Sequence, residues 1–206
     1  MANTDPTIRI FATLIAAIAW LGLAMQFATI LASHGSIGVS LWIFLRFFTI
    51  STNLAIAILF TIMAAGRRRQ SPRLMAGISL AILLVGIVYG VLLQGQPKPA
   101  DHNVIADLLL HKVTPVLVPL FWLCCVPKGA VRPVDPLLWA LYPFGYLFYA
   151  LARGLGGDRY AYFFIDPATQ GWGGVAAYVA VIALGFILAG YALFWADRRL
   201  RPAART

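Results

Sequence analysis

Residues 74–93 read LMAGISLAILLVGIVYGVLL, twenty in succession without a charge. At about 1.5 Å per residue, a helix of this length reaches about 30 Å, the depth of bilayer hydrocarbon. The stretch is bounded by Arg73 on one side and by a polar loop with Pro97, Lys98 and Pro99 on the other. Outward from it, five more apolar runs cover approximately residues 10–31, 41–65, 103–126, 136–152 and 172–195. Composition agrees: 61% of the 206 residues are hydrophobic and only 11% are charged. Soluble domains carry about 25% charged residues, so this chain could not clothe its apolar surface in water. A cytosolic enzyme, a secreted domain and a disordered regulator are excluded. The expectation is an all-α polytopic membrane protein. A single integral membrane domain, 1–206, forms a bundle of six transmembrane helices.

The net charge of +9 does not point to nucleic acid, because the basic residues sit at the ends of apolar runs and form no basic face with interleaved aromatics. One side of the predicted topology holds Arg9, then Arg67, Arg68, Arg69 and Arg73, then Lys128 and Arg132, and finally Arg198, Arg199, Arg201 and Arg205. The other holds Lys98, Arg153 and Arg159. This asymmetry predicts cytoplasmic N- and C-termini. The first run exceeds the core of a signal peptide and is read as a retained helix. Cys124 and Cys125 are adjacent in an apolar stretch and read as packing residues. Gly86 and Gly90 form a small-xxx-small pair suited to close helix contact. A bend is expected at Pro115 and Pro119.

Polar groups inside a bilayer are costly, so each is a functional candidate. The second and fourth runs both enter from the outer face. Thr49 and His111 each lie eight residues from the start of their runs, which puts both about 12 Å below the outer boundary. Arg46, Thr49 and Asn53 are spaced i, i+3, i+7, and Asp107, His111 and Thr114 are spaced i, i+4, i+7; each set shares one helix face. If the faces meet, a hydroxyl, an imidazole, a carboxylate, an amide and a guanidinium share one pocket. A hydroxyl needs a base to become a nucleophile, histidine supplies one near neutral pH, and a carboxylate can orient the ring. Asn53 or Arg46 can stabilise an oxyanion.

Each group also has a plainer reading. Thr49 can bond its own helix backbone, His111 can be a packing residue, and Asn53 can tie helices together. Arg46 and Lys112 can snorkel to lipid phosphate. Asp166 can be a helix N-cap or a partner for Arg46 or His111, with Asp107 as its competitor. The aromatic segment with Tyr160 and Tyr162 reads as an interfacial belt or as a rim over a pocket.

Other chemistries are poorly served. The chain has three histidines and no glutamate, with His34 and His102 in outer loops, so bis-histidine haem ligation and a clustered metal site are not expected. No cofactor is expected. Below Asn53 the second run is apolar until Thr61, which argues against a transport path.

Three segments carry a family resemblance. FLRFFTISTNL at 44–54 and LLHKVTPVL at 109–117 resemble the second- and fourth-helix motifs of six-span bacterial membrane proteins related to the androgen-induced and androgen-dependent membrane proteins of animals. YAYFFIDP at 160–167, with Gly171 to Gly174, resembles the segment leading into their last helix. The similarity runs from about residue 8 to 195. The animal members are threonine hydrolases of fatty acid esters of hydroxy fatty acids. The resemblance implies Thr49 as nucleophile and His111 as base.

The leading expectation is an intramembrane ester hydrolase or acyl transferase in the bacterial inner membrane. Its partners are membrane lipids and a lipidic ester substrate. The alternative is a non-enzymatic lipid- or amphiphile-binding protein.

Overall fold

The computed structural model describes residues 6–66, 70–97 and 101–201, and all regular structure among them is helical. The extreme termini, Arg67 to Arg69 and Lys98, which enter the orientation reading, lie outside the described residues. The chain divides into two compact units, Met1–Pro127 and Lys128–Thr206.

The first unit begins with α1 (Pro6–His34), which buries Ala12, Ile15, Ala16, Ala19, Gly22, Leu23 and Ile30. These recur at helical spacing, and most are small, which lets neighbouring backbones approach. Ile10, Leu14, Trp20 and Leu21 face outward, as a lipid-facing surface requires.

After Gly35, which has a positive φ of 68°, α2 (Ile37–Phe44) is followed by α3 (Phe48–Ala64). The two helices are bent by 96° across Leu45 to Phe47. The expected unbroken second span is therefore two pieces, and Arg46 lies in the break, off the helix that carries Thr49 and Asn53. No proline or glycine marks the break. Phe47 makes it by adopting an extended backbone (φ −97°, ψ 136°).

Next comes α4 (Pro72–Val88), running on into a π-helical turn at Tyr89–Leu93. The fourth helix consists of α5 (Val104–Leu108), a π-helical turn at Leu109–Val113, and α6 (Thr114–Cys125). Instead of a sharp bend at the prolines, the helix widens just before them. Pro115 has no N–H for the His111 carbonyl, and its ring crowds that carbonyl, so a longer-range turn replaces the missing bond. α1 packs mainly on α3 and also on α2, α5 and α6, while α4 packs on α6 and α3. Asn103 caps α5 by accepting from the Ala106 N–H at 2.9 Å, and it donates to Thr29 Oγ1 of α1 at 2.9 Å. Of the glycine pair, Gly86 sits tightly against Pro115, whereas Gly90 faces open space.

In the second unit, α7 (Asp135–Leu155) packs on α8 (Pro167–Arg199). α8 breaks at Gly171 (φ 65°, ψ 161°), a backbone state open to glycine. Its long apolar part therefore starts at Trp172, as the sequence indicates. Asp197 is fully buried, and its Oδ2 accepts from the Gly129 and Val131 N–H groups at 2.9 and 3.0 Å. Arg153 is paired with Asp158 and donates to the Tyr149 hydroxyl at 2.7 Å.

Among the described residues, four helices are long and apolar enough to cross a membrane: Pro6–His34, Pro72–Leu93, Val104–Cys125 and Pro167–Arg199. The bent α2–α3 pair makes a fifth if it counts as one span. The protein is an all-helical integral membrane protein. α7 has 21 residues, enough for a span, but Tyr142, Pro143, Tyr146 and Tyr149 dilute its apolar character.

Candidate active site

Thr49 is the second residue of α3 and is 6% exposed. Its Oγ1 lies 3.1 Å from Nε2 of His111, which stands in the π turn of the fourth helix. His111 Nδ1 is in turn 3.0 Å from Oδ1 of Asp107, one turn earlier. The expected alcohol, imidazole and carboxylate are thus brought together in that order.

The contacts assign the proton positions. An ionised carboxylate only accepts, so Nδ1 carries the hydrogen that faces Asp107. In the neutral ring Nε2 then has the lone pair, and the Thr49 hydroxyl donates to it. This is the tautomer a general base needs. The main-chain carbonyl of Asp107, 3.2 Å from Nδ1, is a second acceptor for the same hydrogen.

Asn53 is fully buried and makes three bonds. Its amide donates to the Thr49 carbonyl at 2.9 Å and to the Leu110 carbonyl at 3.2 Å, and its Oδ1 accepts from Thr114 Oγ1 at 2.7 Å. Thr114 also donates to Leu110 O at 3.2 Å. The Leu110 carbonyl lies in the π turn, where regular helical bonding is interrupted. Asn53 therefore pins that turn to the start of α3. Both of its amide hydrogens are committed to backbone, which leaves none directed at an oxyanion.

The remaining candidates are placed differently. Arg46 sits in the α2–α3 break, half-buried. Lys112 is exposed, with Nζ 5.9 Å from the centre of the Tyr89 ring. Tyr160, Tyr162 and Asp166 belong to the second unit. Asp166 caps α8 by accepting from the Ala168 N–H at 2.9 Å. Tyr162 stacks on Phe164 at 5.1 Å, and the Tyr160 ring fills the space beside Gly154. Among the described residues, no three His, Cys, Asp or Glu side chains are grouped to hold a metal ion.

Sequence reasoning missed Tyr89. Its ring stacks on His111, with centroids 4.3 Å apart and planes 22° apart, and its hydroxyl donates to Asp107 Oδ2. A signal existed: Tyr89 and Ser79 are the only polar side chains in 74–93. Tyr89 also lies four residues from the end of its run, as Asp107 lies four residues from the start of the next.

Fold and site together define a helical membrane protein with a partly buried threonine–histidine–aspartate constellation shared by two helices and flanked by a third. Compared with protein-family models, curated proteins and solved structures, the chain matches none.

Proposed function

We propose that this protein is an intramembrane threonine-dependent hydrolase, or acyl transferase, of a lipidic ester such as a fatty acid ester of a hydroxy fatty acid. The observation that carries the reading is the 3.1 Å approach of Thr49 Oγ1 to His111 Nε2, with Asp107 on the opposite ring nitrogen. Three polar groups in that order are costly to bury among apolar helices, and a packing role needs neither the order nor the tautomer. In the reaction, Thr49 Oγ attacks the ester carbonyl as its proton passes to His111 Nε2. The tetrahedral intermediate expels the alcohol, which takes that proton from the imidazolium, and an acyl-threonine remains. Water, deprotonated by His111, then releases the acid and returns the proton to Thr49; a second alcohol in place of water gives acyl transfer.

Thr49 stands in the first turn of α3, where the helix dipole is positive. That end of α3, with Arg46 in the preceding break, is the natural support for the oxyanion. The acyl chains enter sideways from lipid, since exposed apolar side chains such as Leu41, Trp42 and Leu45 surround this break. The reading includes six spans, cytoplasmic termini and the bacterial inner membrane as location.

The test is purified protein in detergent with a fluorophosphonate probe and a fluorogenic acyl ester. Both signals are expected in the natural protein and in neither Thr49→Ala nor His111→Ala, each retaining its helical circular dichroism. Labelling that persists in Thr49→Ala overturns the nucleophile. A co-purifying lipid ester that stays intact on long incubation, with no labelling, favours the non-enzymatic lipid-binding alternative.

A further inference from the structure

Asp107 has two carboxylate oxygens and the structure uses them on different partners. Oδ1 faces His111 Nδ1 at 3.0 Å, and Oδ2 accepts from the Tyr89 hydroxyl. The Tyr89 ring also lies flat on the imidazole, 4.3 Å between centroids. One side chain thus touches both the carboxylate and the ring that this carboxylate addresses. Tyr89 is 4% exposed and opens the π turn Tyr89–Leu93, a local widening of the kind often found at functional sites.

We infer that Tyr89 is the positioning residue that holds the Asp107 carboxylate on His111 Nδ1 and fixes the direction of the ring's free lone pair; this rests on reading Thr49 and His111 as nucleophile and base. The need for such a device follows from the distances. His111 Nδ1 has a second acceptor in the Asp107 main-chain carbonyl at 3.2 Å. A carboxylate free to turn would leave Nδ1 on that carbonyl and surrender its charge-assisted bond. The phenol, by holding Oδ2, fixes the carboxylate plane with Oδ1 on Nδ1. The stacked ring bars the imidazole from the flip that would carry Nε2 away from Thr49. A phenol that merely needed a buried acceptor would require neither the stack nor a residue already bonded to histidine.

The experiment uses full-length protein with His34→Gln and His102→Gln, which leaves His111 as the sole histidine, labelled with ¹⁵N. The shift of the Nδ1–H proton, read through its labelled nitrogen, then reports whether that hydrogen faces carboxylate or carbonyl, and the fluorophosphonate labelling rate reports Thr49. Tyr89→Phe keeps the stack and removes the hydroxyl. The expected result is a far-downfield Nδ1–H proton in the parent, from its charge-assisted bond to the carboxylate, an upfield move of that proton in Tyr89→Phe, and labelling slowed about 10- to 100-fold, the scale of one hydrogen bond to a charged group. Tyr89→Leu, which loses the stack too, slows it further. An Nδ1–H proton at the parental shift in Tyr89→Phe overturns the inference, whatever the labelling rate. Should the parent fail to label while its Nδ1–H proton still moves in Tyr89→Phe, the hydrolase reading falls and the positioning of His111 by Tyr89 stands.

Discussion

Gly86 and Pro115 pack so closely that a Cβ on Gly86 would stand 2.8 Å from the Pro115 Cβ and 3.6 Å from the His111 carbonyl oxygen. The contact links α4 to the π turn that presents His111. A proline ring is stiff and cannot yield as a flexible side chain would.

Gly86→Ala therefore tests the scaffold of the site. Ordinarily alanine improves a helix by about 1 kcal/mol over glycine. Here overpacking of about 1–3 kcal/mol opposes that gain, and the displaced turn carries His111 with it. Thermal unfolding in detergent is expected to show a lower midpoint, and Thr49 labelling is expected to slow. Gly90→Ala is the control, because nothing lies within 4 Å of its added carbon. It is expected to be neutral or slightly stabilising, with labelling unchanged.

Asp107→Asn separates charge from shape. The amide fills the same volume, but it no longer obliges Nδ1 to carry the hydrogen, and it offers less support to an imidazolium. The loss expected in probe labelling is on the order of 10²- to 10⁴-fold, the range seen when a triad carboxylate is neutralised. The unfolding midpoint should move by only a few degrees. A variant that labels at the parental rate would leave Asp107 as nothing more than an early-turn carboxylate at a helix N-terminus.

Asn53→Ala distinguishes a helix tie from an oxyanion donor. Removing the amide strips a bond from Thr114 Oγ1 and leaves the Leu110 carbonyl with fewer partners. The expected cost is about 1–3 kcal/mol of stability, with looser placement of both Thr49 and His111. Hydrogen exchange should rise together at residues 48–53 and 109–114. An oxyanion donor would instead lower turnover without moving the exchange pattern.

The pairing of Thr49 with His111 was legible in the sequence because membrane depth acts as a coordinate. Two spans, counted from a shared boundary, brought an alcohol and an imidazole to the same level. Periodicity then put Asp107 on the face of His111. The break at Leu45 to Phe47 was not legible, since neither proline nor glycine stands there and the flanking residues are apolar on both sides. That break removed Arg46 from the face inferred for it. Asn53 was placed correctly on its helix, and of its two readings the tie between helices fits its bonds to Leu110 and Thr114; which carbonyl it meets was not legible, because the π turn that exposes Leu110 O depends on where Pro115 meets α4. Tyr89 is legible by the same depth argument applied to the third run, since it lies four residues before the end of that run and Asp107 four residues after the start of the next.

The last prediction concerns how often the chain crosses the membrane. Counting α1, the α2–α3 pair, α4 with its π turn and the fourth helix as four crossings, the chain is back on its starting side before α7. If α7 also crosses, α8 is the sixth span and the basic tail with Arg198, Arg199 and Arg201 ends in the cytoplasm, as the positive-inside rule demands. If α7 lies along the surface, α8 is the fifth span and that tail emerges outside. α7 is 21 residues long, about 32 Å as a helix, and its charges lie only at its ends: Asp135 is bonded to the Arg132 N–H at 2.8 Å and Arg153 is paired with Asp158. Leu137, Leu138, Leu141, Phe144 and Phe148 are exposed along it, a surface more at home in hydrocarbon than in a headgroup layer. Green fluorescent protein fused after Thr206 is therefore expected to fluoresce, and alkaline phosphatase at the same position to be inactive. The opposite pair of results would place the basic tail outside and reduce α7 to an interfacial helix, while leaving the geometry around Thr49 untouched.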